Sequence, residues 1–97
     1  LENVHVLRNS FDVYAVENAL KNSKKVVIVG GGYIGAELGV LLRKRDVEVT
    51  IVEMLPHCLM AILDPDFCEI IEEEMQKKKV TLLTNTKVTA INGNGKV

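Results

Sequence analysis

Five of the seven glycines in this 97-residue chain fall within ten residues, Gly30 to Gly39, inside the stretch KKVVIVGGGYIGAELG. Glycine inside regular structure costs about 0.5–1 kcal/mol relative to alanine. A chain that places five together, directly after the β-branched run Val26–Val29, has a local geometric need for them. Gly30, Gly32 and Gly35 fit G-x-G-x-x-G at the junction of a strand and the helix that follows it. In that motif the first glycine allows a sharp turn off the strand. The second lets a pyrophosphate approach the backbone, and the third lets the helix pack close to the sheet. Gly39, four residues past Gly35, either extends that close crossing or is a tolerated weak helix position.

The flanking pattern supplies the context that three glycines alone lack. Residues 3–7 read as a short extended lead-in, and Ser10 or Asp12 can cap a first helix with Val13, Val16 and Leu20 on one face. Val26–Val29 reads as a central parallel strand buried on both faces. Tyr33–Arg45 reads as a helix with Ile34, Leu38, Leu41 and Leu42 as its apolar stripe. Arg43, Lys44 and Arg45 suit the negative end of its dipole. Val47–Val52 is a second strand ending at Glu53, followed by an apolar connection, residues 54–63, punctuated by Pro56. Asp64-Pro65-Asp66 starts the next helix, which runs through Met75 and is expected to bury Phe67, Ile70, Ile71 and Met75. The run from Glu72 to Lys79 places Glu73–Lys77 and Glu74–Lys78 at i, i+4 and reads as a solvated face.

Val80–Leu83 is the third strand and Asn85 marks a turn. Lys87–Ile91 is expected as a further strand leading into the tight-turn signal Asn92-Gly93-Asn94-Gly95. The alternation of strands and helices predicts an α/β fold: a Rossmann-type, three-layer parallel sheet in the order 3-2-1, with the start of an antiparallel β-meander. The expected organisation is a lead-in and first helix over 1–23, a βαβαβ core over 24–83 and the start of the meander over 84–97.

The rest of the composition narrows the function. A net charge of −1 argues against nucleic-acid and membrane-surface partners. The longest apolar or glycine run, Val26–Ala36, is shorter than the ~20 residues that span a bilayer. No basic start followed by an apolar core marks a secretory signal, so a cytoplasmic setting is expected. Cys58 and Cys68 form no CxxC pair and no metal-type cluster with His5 or His57, so both read as plain thiols and no metal site is expected.

Glu53 completes the dinucleotide signature. It lies 23 residues after Gly30, at the end of the second strand, where an acid can bind both hydroxyls of an adenosine ribose. A 2′-phosphate there would be repelled. Two unit charges ~4 Å apart at an effective dielectric of about 20 differ by roughly 4 kcal/mol, which bounds discrimination near a thousandfold. No Arg or Lys among residues 54–63 could receive such a phosphate, so NAD(H) is favoured over NADP(H). An acid that merely ends a strand is the alternative.

GGGYIGAELG, the strand ending in VE, and the later LDPDF and EEEM resemble the NAD-binding domain of the pyridine nucleotide–disulfide oxidoreductase family. The nearest likeness is to its NADH oxidase, NADH peroxidase and coenzyme A-disulfide reductase branch. The resemblance implies cofactor binding by Gly30, Gly31, Gly32, Tyr33, Ile34, Gly35, Glu37 and Glu53. It implies that Tyr33 is a gate over the flavin and that Glu37 lies near the nicotinamide. From the helix pattern alone these two are an exposed aromatic and an ordinary helical acid. It further implies a fragment of a flavoenzyme whose FAD, FAD-binding domain, dimerisation domain and redox cysteine lie elsewhere, so that no catalytic residue falls here. Cys58 and Cys68 match no redox cysteine of that pattern.

Three functions remain open on the sequence. The first is the NADH-positioning domain of a flavin-dependent oxidoreductase. The second is a non-catalytic dinucleotide-sensing module, and the third, a poorer fit, an S-adenosylmethionine-dependent transferase. The expected partners are NADH and the other domains of a parent chain. The edge of Val26–Val29, whose second neighbour would come from beyond Val97, is expected either to self-associate with another chain or to be covered by the chain's own Lys87–Val97 tail.

Overall fold

The computed structural model describes residues 4–5, 18–19, 21, 24–59 and 63–93. By internal contacts the chain forms two units, and the larger, Lys25–Val88, contains all the described strands and both long helices. In the other unit Asn18 and Ala19 are helical and Lys21 lies in a 3-10 turn. The remainder of the expected first helix lies outside the described residues.

The larger unit is a β-α-β-α-β succession: β1 (Lys25–Val29), α1 (Tyr33–Arg43), β2 (Glu48–Val52), α2 (Pro65–Lys77) and β3 (Thr81–Leu83). All strands are parallel, in spatial order β1-β2-β3. Each connection is therefore a crossover through a helix. Val27 pairs with Thr50 and Val29 with Val52, while Thr50 pairs with Thr81. The central strand β2 holds the core: Val49 and Ile51 are fully buried, as are the thiols of Cys58 and Cys68.

Burial departs from the sequence expectation in each element flanking β2. Strand β1 is not covered on both faces, since Val27 and Val29 are 63% and 61% exposed. Among the described residues its sheet neighbour is β2 alone, and it sits at the sheet edge. In α1 the buried line is Gly35, Ala36, Gly39 and Leu42, whereas Ile34 and Leu41 are exposed. The cause is steric. A Cβ on Gly39 would come 3.2 Å from Ile51 Cδ1 and 3.5 Å from Val49 Cγ1. The helix thus rests on the sheet through its glycines and Leu42, Leu38 is half-buried, and Ile34 and Leu41 are turned aside.

In α2 the buried residues are Cys68 and Met75, Ile71 is half-buried, and Phe67 and Ile70 are exposed. Asp64 stands at the N-cap with extended backbone, but its side chain makes no capping bond; Pro65 opens the helix as expected. In the charge run, Lys77 Nζ approaches Glu74 Oε1 at 3.5 Å, an exposed i, i+3 contact.

The helix ends also shift. Helix α1 stops at Arg43, and the chain reverses through residues 44–46 with Asp46 at φ 60°. Arg43 Nη1 donates to the Val47 carbonyl at 3.2 Å across that turn. Residues 86–93 contain no strand, so the start of a meander is not formed there. A strand needs a partner to pair with, and the second half of the Asn92–Gly95 turn lies outside the described residues. No helix among the described residues is long and apolar enough to cross a membrane.

Candidate functional site

The site begins where β1 ends. Gly30 adopts φ +100°, a conformation open to glycine and strained for other residues, and its N–H donates to Val52 O at 2.7 Å. The chain thereby leaves the strand sharply while staying tied to β2. Gly35 sits one helical turn in, where a Cβ would stand 2.5 Å from the Gly30 carbonyl oxygen and 3.2 Å from Ile28 Cγ2. Those two positions form the turn and the close helix-to-sheet approach.

Between them, Gly32 is the N-cap of α1, with φ −76° and ψ −175°. Its surroundings are open: a Cβ there would meet nothing within 4 Å. No side chain caps the helix and its first turn contains no acid. The first intrahelical bond runs from Ala36 N–H to Gly32 O at 2.9 Å. The N–H groups that precede it in the first turn have no intrahelical acceptor. They lie at the positive end of the helix dipole, an arrangement suited to an anion.

Glu53 stands beside this loop, half-buried. Its Oε1 accepts the Gly31 N–H at 2.8 Å and its Oε2 accepts the Leu55 N–H at 2.9 Å. Each carboxylate oxygen can accept more than one hydrogen bond, so both keep capacity for a further donor. The end of β2 is itself pinned by Glu53 N–H to Leu83 O at 2.8 Å and by Thr86 N–H to Glu53 O at 2.9 Å.

Tyr33 is exposed at the start of α1, with Glu37 one turn further along. Hydrogen bonding to Glu37, then the charge of that carboxylate, hold the Tyr33 hydroxyl above its usual pKa. Tyr33 and Glu37 line a groove between α1 and α2 together with Val40, Leu41, Leu59 and Ile71. Ile34 is exposed on the first turn. The structure thus brings Gly30–Gly35 and Glu53 together, with Tyr33 and Glu37 on the adjoining helix face.

The sequence reading overlooked a second layer behind the loop. Gly31 is buried, and a Cβ on it would come 2.5 Å from Cys58 Sγ. Leu59 N–H donates to Gly31 O at 2.7 Å. Glu72, expected on a solvated face, is instead turned inward. Its Oε1 lies 2.7 Å from His57 Nδ1 and its Oε2 accepts the Cys58 N–H at 3.4 Å, with only 12% of its side chain exposed. Burial first, then the charges of Glu72 and Glu53, push the Cys58 thiol up to about 11. Burial and Glu72 likewise raise Cys68. Both cysteines are free. A lone inward-facing acid in a run of three carries no periodic signal that would have marked it.

Known proteins resemble this chain in fold and in sequence. A ferredoxin reductase from Rhodopseudomonas palustris superimposes with a TM-score of 0.92 over 98% of this chain and 24% of its own, at 23% identity, a likeness of fold. The water-forming NADH oxidase of Lactobacillus brevis, in its structure bound to NADH, matches with a TM-score of 0.81 at 26% identity. That match covers 88% of this chain and 19% of the oxidase. In sequence, an NADH oxidase of Streptococcus pyogenes is 35% identical across the whole chain, which spans 21% of that enzyme. The profile of the pyridine nucleotide-disulphide oxidoreductases matches residues 25–97. With three quarters of its length inside that match, this chain belongs to the pyridine nucleotide-disulphide oxidoreductase family.

Proposed function

We propose that this chain is the NADH-binding part of a flavin-dependent oxidoreductase, holding the dinucleotide so that its nicotinamide can reach a flavin. The observation that carries the proposal is the Glu53 carboxylate, fixed by the Gly31 and Leu55 N–H groups beside an uncapped helix N-terminus. When bound, NADH supplies a hydride. Residues of this chain hold and orient the coenzyme. Gly32 leaves space for the pyrophosphate, and the first-turn amides of α1 donate to it in place of any lysine. The Glu53 oxygens accept the adenosine-ribose hydroxyls and exclude a 2′-phosphate by charge. Tyr33, protonated at neutral pH and exposed, acts as the gate at the nicotinamide end with Glu37 beside it.

FAD and its binding and dimerisation domains belong to the remainder of the parent protein in this reading. Pairing of the β1 edge, which has β2 alone as sheet neighbour among the described residues, with another chain or with the chain's own Lys87–Val97 tail is a further part of it, tested by concentration-dependent light scattering. The central test is titration of the chain with NADH and NADPH, followed by amide NMR. Shifts centred on Gly30–Gly35 and Glu53, stronger for NADH, are expected. Equal affinity for the two coenzymes, or shifts elsewhere, would overturn the assignment.

A further inference from the structure

We propose that Glu72 is a positioning residue for the phosphate-binding loop, acting through His57 and Cys58 on Gly31; this rests on the NADH reading above. The connection is continuous in space. The Glu72 carboxylate spans two successive residues, with Oε1 at 2.7 Å from His57 Nδ1 and Oε2 at 3.4 Å from the Cys58 N–H. The next N–H in the chain, that of Leu59, bonds Gly31 O at 2.7 Å. Cys58 Sγ meanwhile fills the space that a side chain at position 31 would need.

Gly31 is therefore held through both of its flanking peptide groups. Glu53 at the end of β2 takes its N–H, and the 57–59 segment takes its carbonyl. Leu59 adopts φ 62°, uncommon for a bulky side chain. Such a backbone persists only where its surroundings over-determine it. Glu72 contributes to that constraint from a charged, largely enclosed position, where hydrogen bonds to an ionised acceptor are the strong ones. Gly31 immediately precedes the N-cap Gly32. A shift of its peptide would re-aim the helix amides that the proposed pyrophosphate meets.

The link runs from α2 to the loop through the 57–59 segment, so Glu72 works at one remove from the ligand. A purely structural tether would behave differently. Its loss would loosen the packed sheet along with the loop, whereas loss of a positioning group loosens the loop alone.

The test uses Glu72→Gln and Glu72→Ala in the full chain, with NADH as the probe and amide hydrogen exchange as the second readout. Glu72→Ala should weaken NADH binding about tenfold, equivalent to about 1.4 kcal/mol. Glu72→Gln, which keeps one acceptor, should weaken it less, and it keeps the test open if the alanine variant fails to fold. The Gly31 and Leu59 amides should exchange faster in both, while those of Val49 and Ile51 stay as they were. Unchanged NADH affinity would overturn the proposal, as would equal acceleration at Val49 and Ile51. If the unaltered chain itself fails to bind NADH, the coenzyme reading falls. Exchange at Gly31 and Leu59 then decides by itself whether Glu72 holds the loop.

Discussion

The Gly31 N–H donates to Glu53 Oε1 at 2.8 Å, so the acid at the end of β2 and the middle of the glycine loop are one hydrogen-bonded unit. Under the proposed NADH reading Glu53 has two duties that substitution can separate. Glu53→Gln keeps an acceptor for one of the two N–H groups and removes the charge. It should narrow the preference for NADH over NADPH by at least tenfold, out of a ceiling near a thousandfold. Glu53→Arg should narrow it further or invert it, and at the same time cost about 1 kcal/mol of stability through the part-buried Gly31 N–H left unpaired, the exposed Leu55 N–H being free to turn to water. Coenzyme titration and urea unfolding of both variants check the two effects independently.

Two glycines of the motif should fail in opposite ways. Gly35→Ala drives a methyl to 2.5 Å from the Gly30 carbonyl, a backbone atom that cannot swing away. A loss of about 1–3 kcal/mol in folding stability is expected, as for other overpacked sites. Gly32→Ala meets open space at a negative φ and should leave stability within about 0.5–1 kcal/mol. It should nonetheless weaken NADH at least tenfold, because the added methyl stands where the pyrophosphate would lie. Thermal unfolding and NADH titration, run side by side, distinguish them.

The legible part of this molecule was its local part. The turn residue Gly30, the proline that opens α2 and the acid 23 positions after Gly30 each announce themselves in the local pattern. The βαβαβ order followed from them. What stayed hidden depends on approach between distant segments. The apolar stripe of α1 is real in the sequence, yet Gly35 and Gly39 shift the contact line so that of its four residues Leu42 alone is fully buried. Phe67 and Ile70 match helical spacing and still face outward, while Cys68 takes the core position. Glu72 could not be told from Glu73 and Glu74, because its partners His57 and Cys58 come from another loop.

Cys58 gives a pH signature. Its thiol is raised from 9.0 in an unfolded chain to about 11 in the folded one. Between those values the unfolded chain has already lost its proton while the folded chain keeps it. The stability from this group is thus complete below about pH 9 and falls as pH rises toward 11, by roughly 2–3 kcal/mol at most. Cys68 adds a loss in the same direction. Denaturant midpoints at pH 8 and pH 10.5 should show the fall, and Cys58→Ala should lessen it. At pH 8 a thiol-alkylating reagent should modify folded Cys58 at least a hundredfold more slowly than the unfolded chain.

The order of strands in space has a consequence for how the chain is made. β2 lies in the middle of the sheet, and among the described strands it is the one partner β1 has. On a ribosome, Lys25–Val29 emerges ahead of its described neighbour and cannot pair with β2 until Glu48–Val52 has followed it out. At synthesis rates of about 5–20 residues per second, that leaves the apolar strand waiting for roughly one to five seconds. The glycine loop cannot take its final shape in that interval either, because Gly30 N–H is anchored on Val52. Loop and sheet must therefore be completed in the same event, late in the synthesis of the β1-α1-β2 unit.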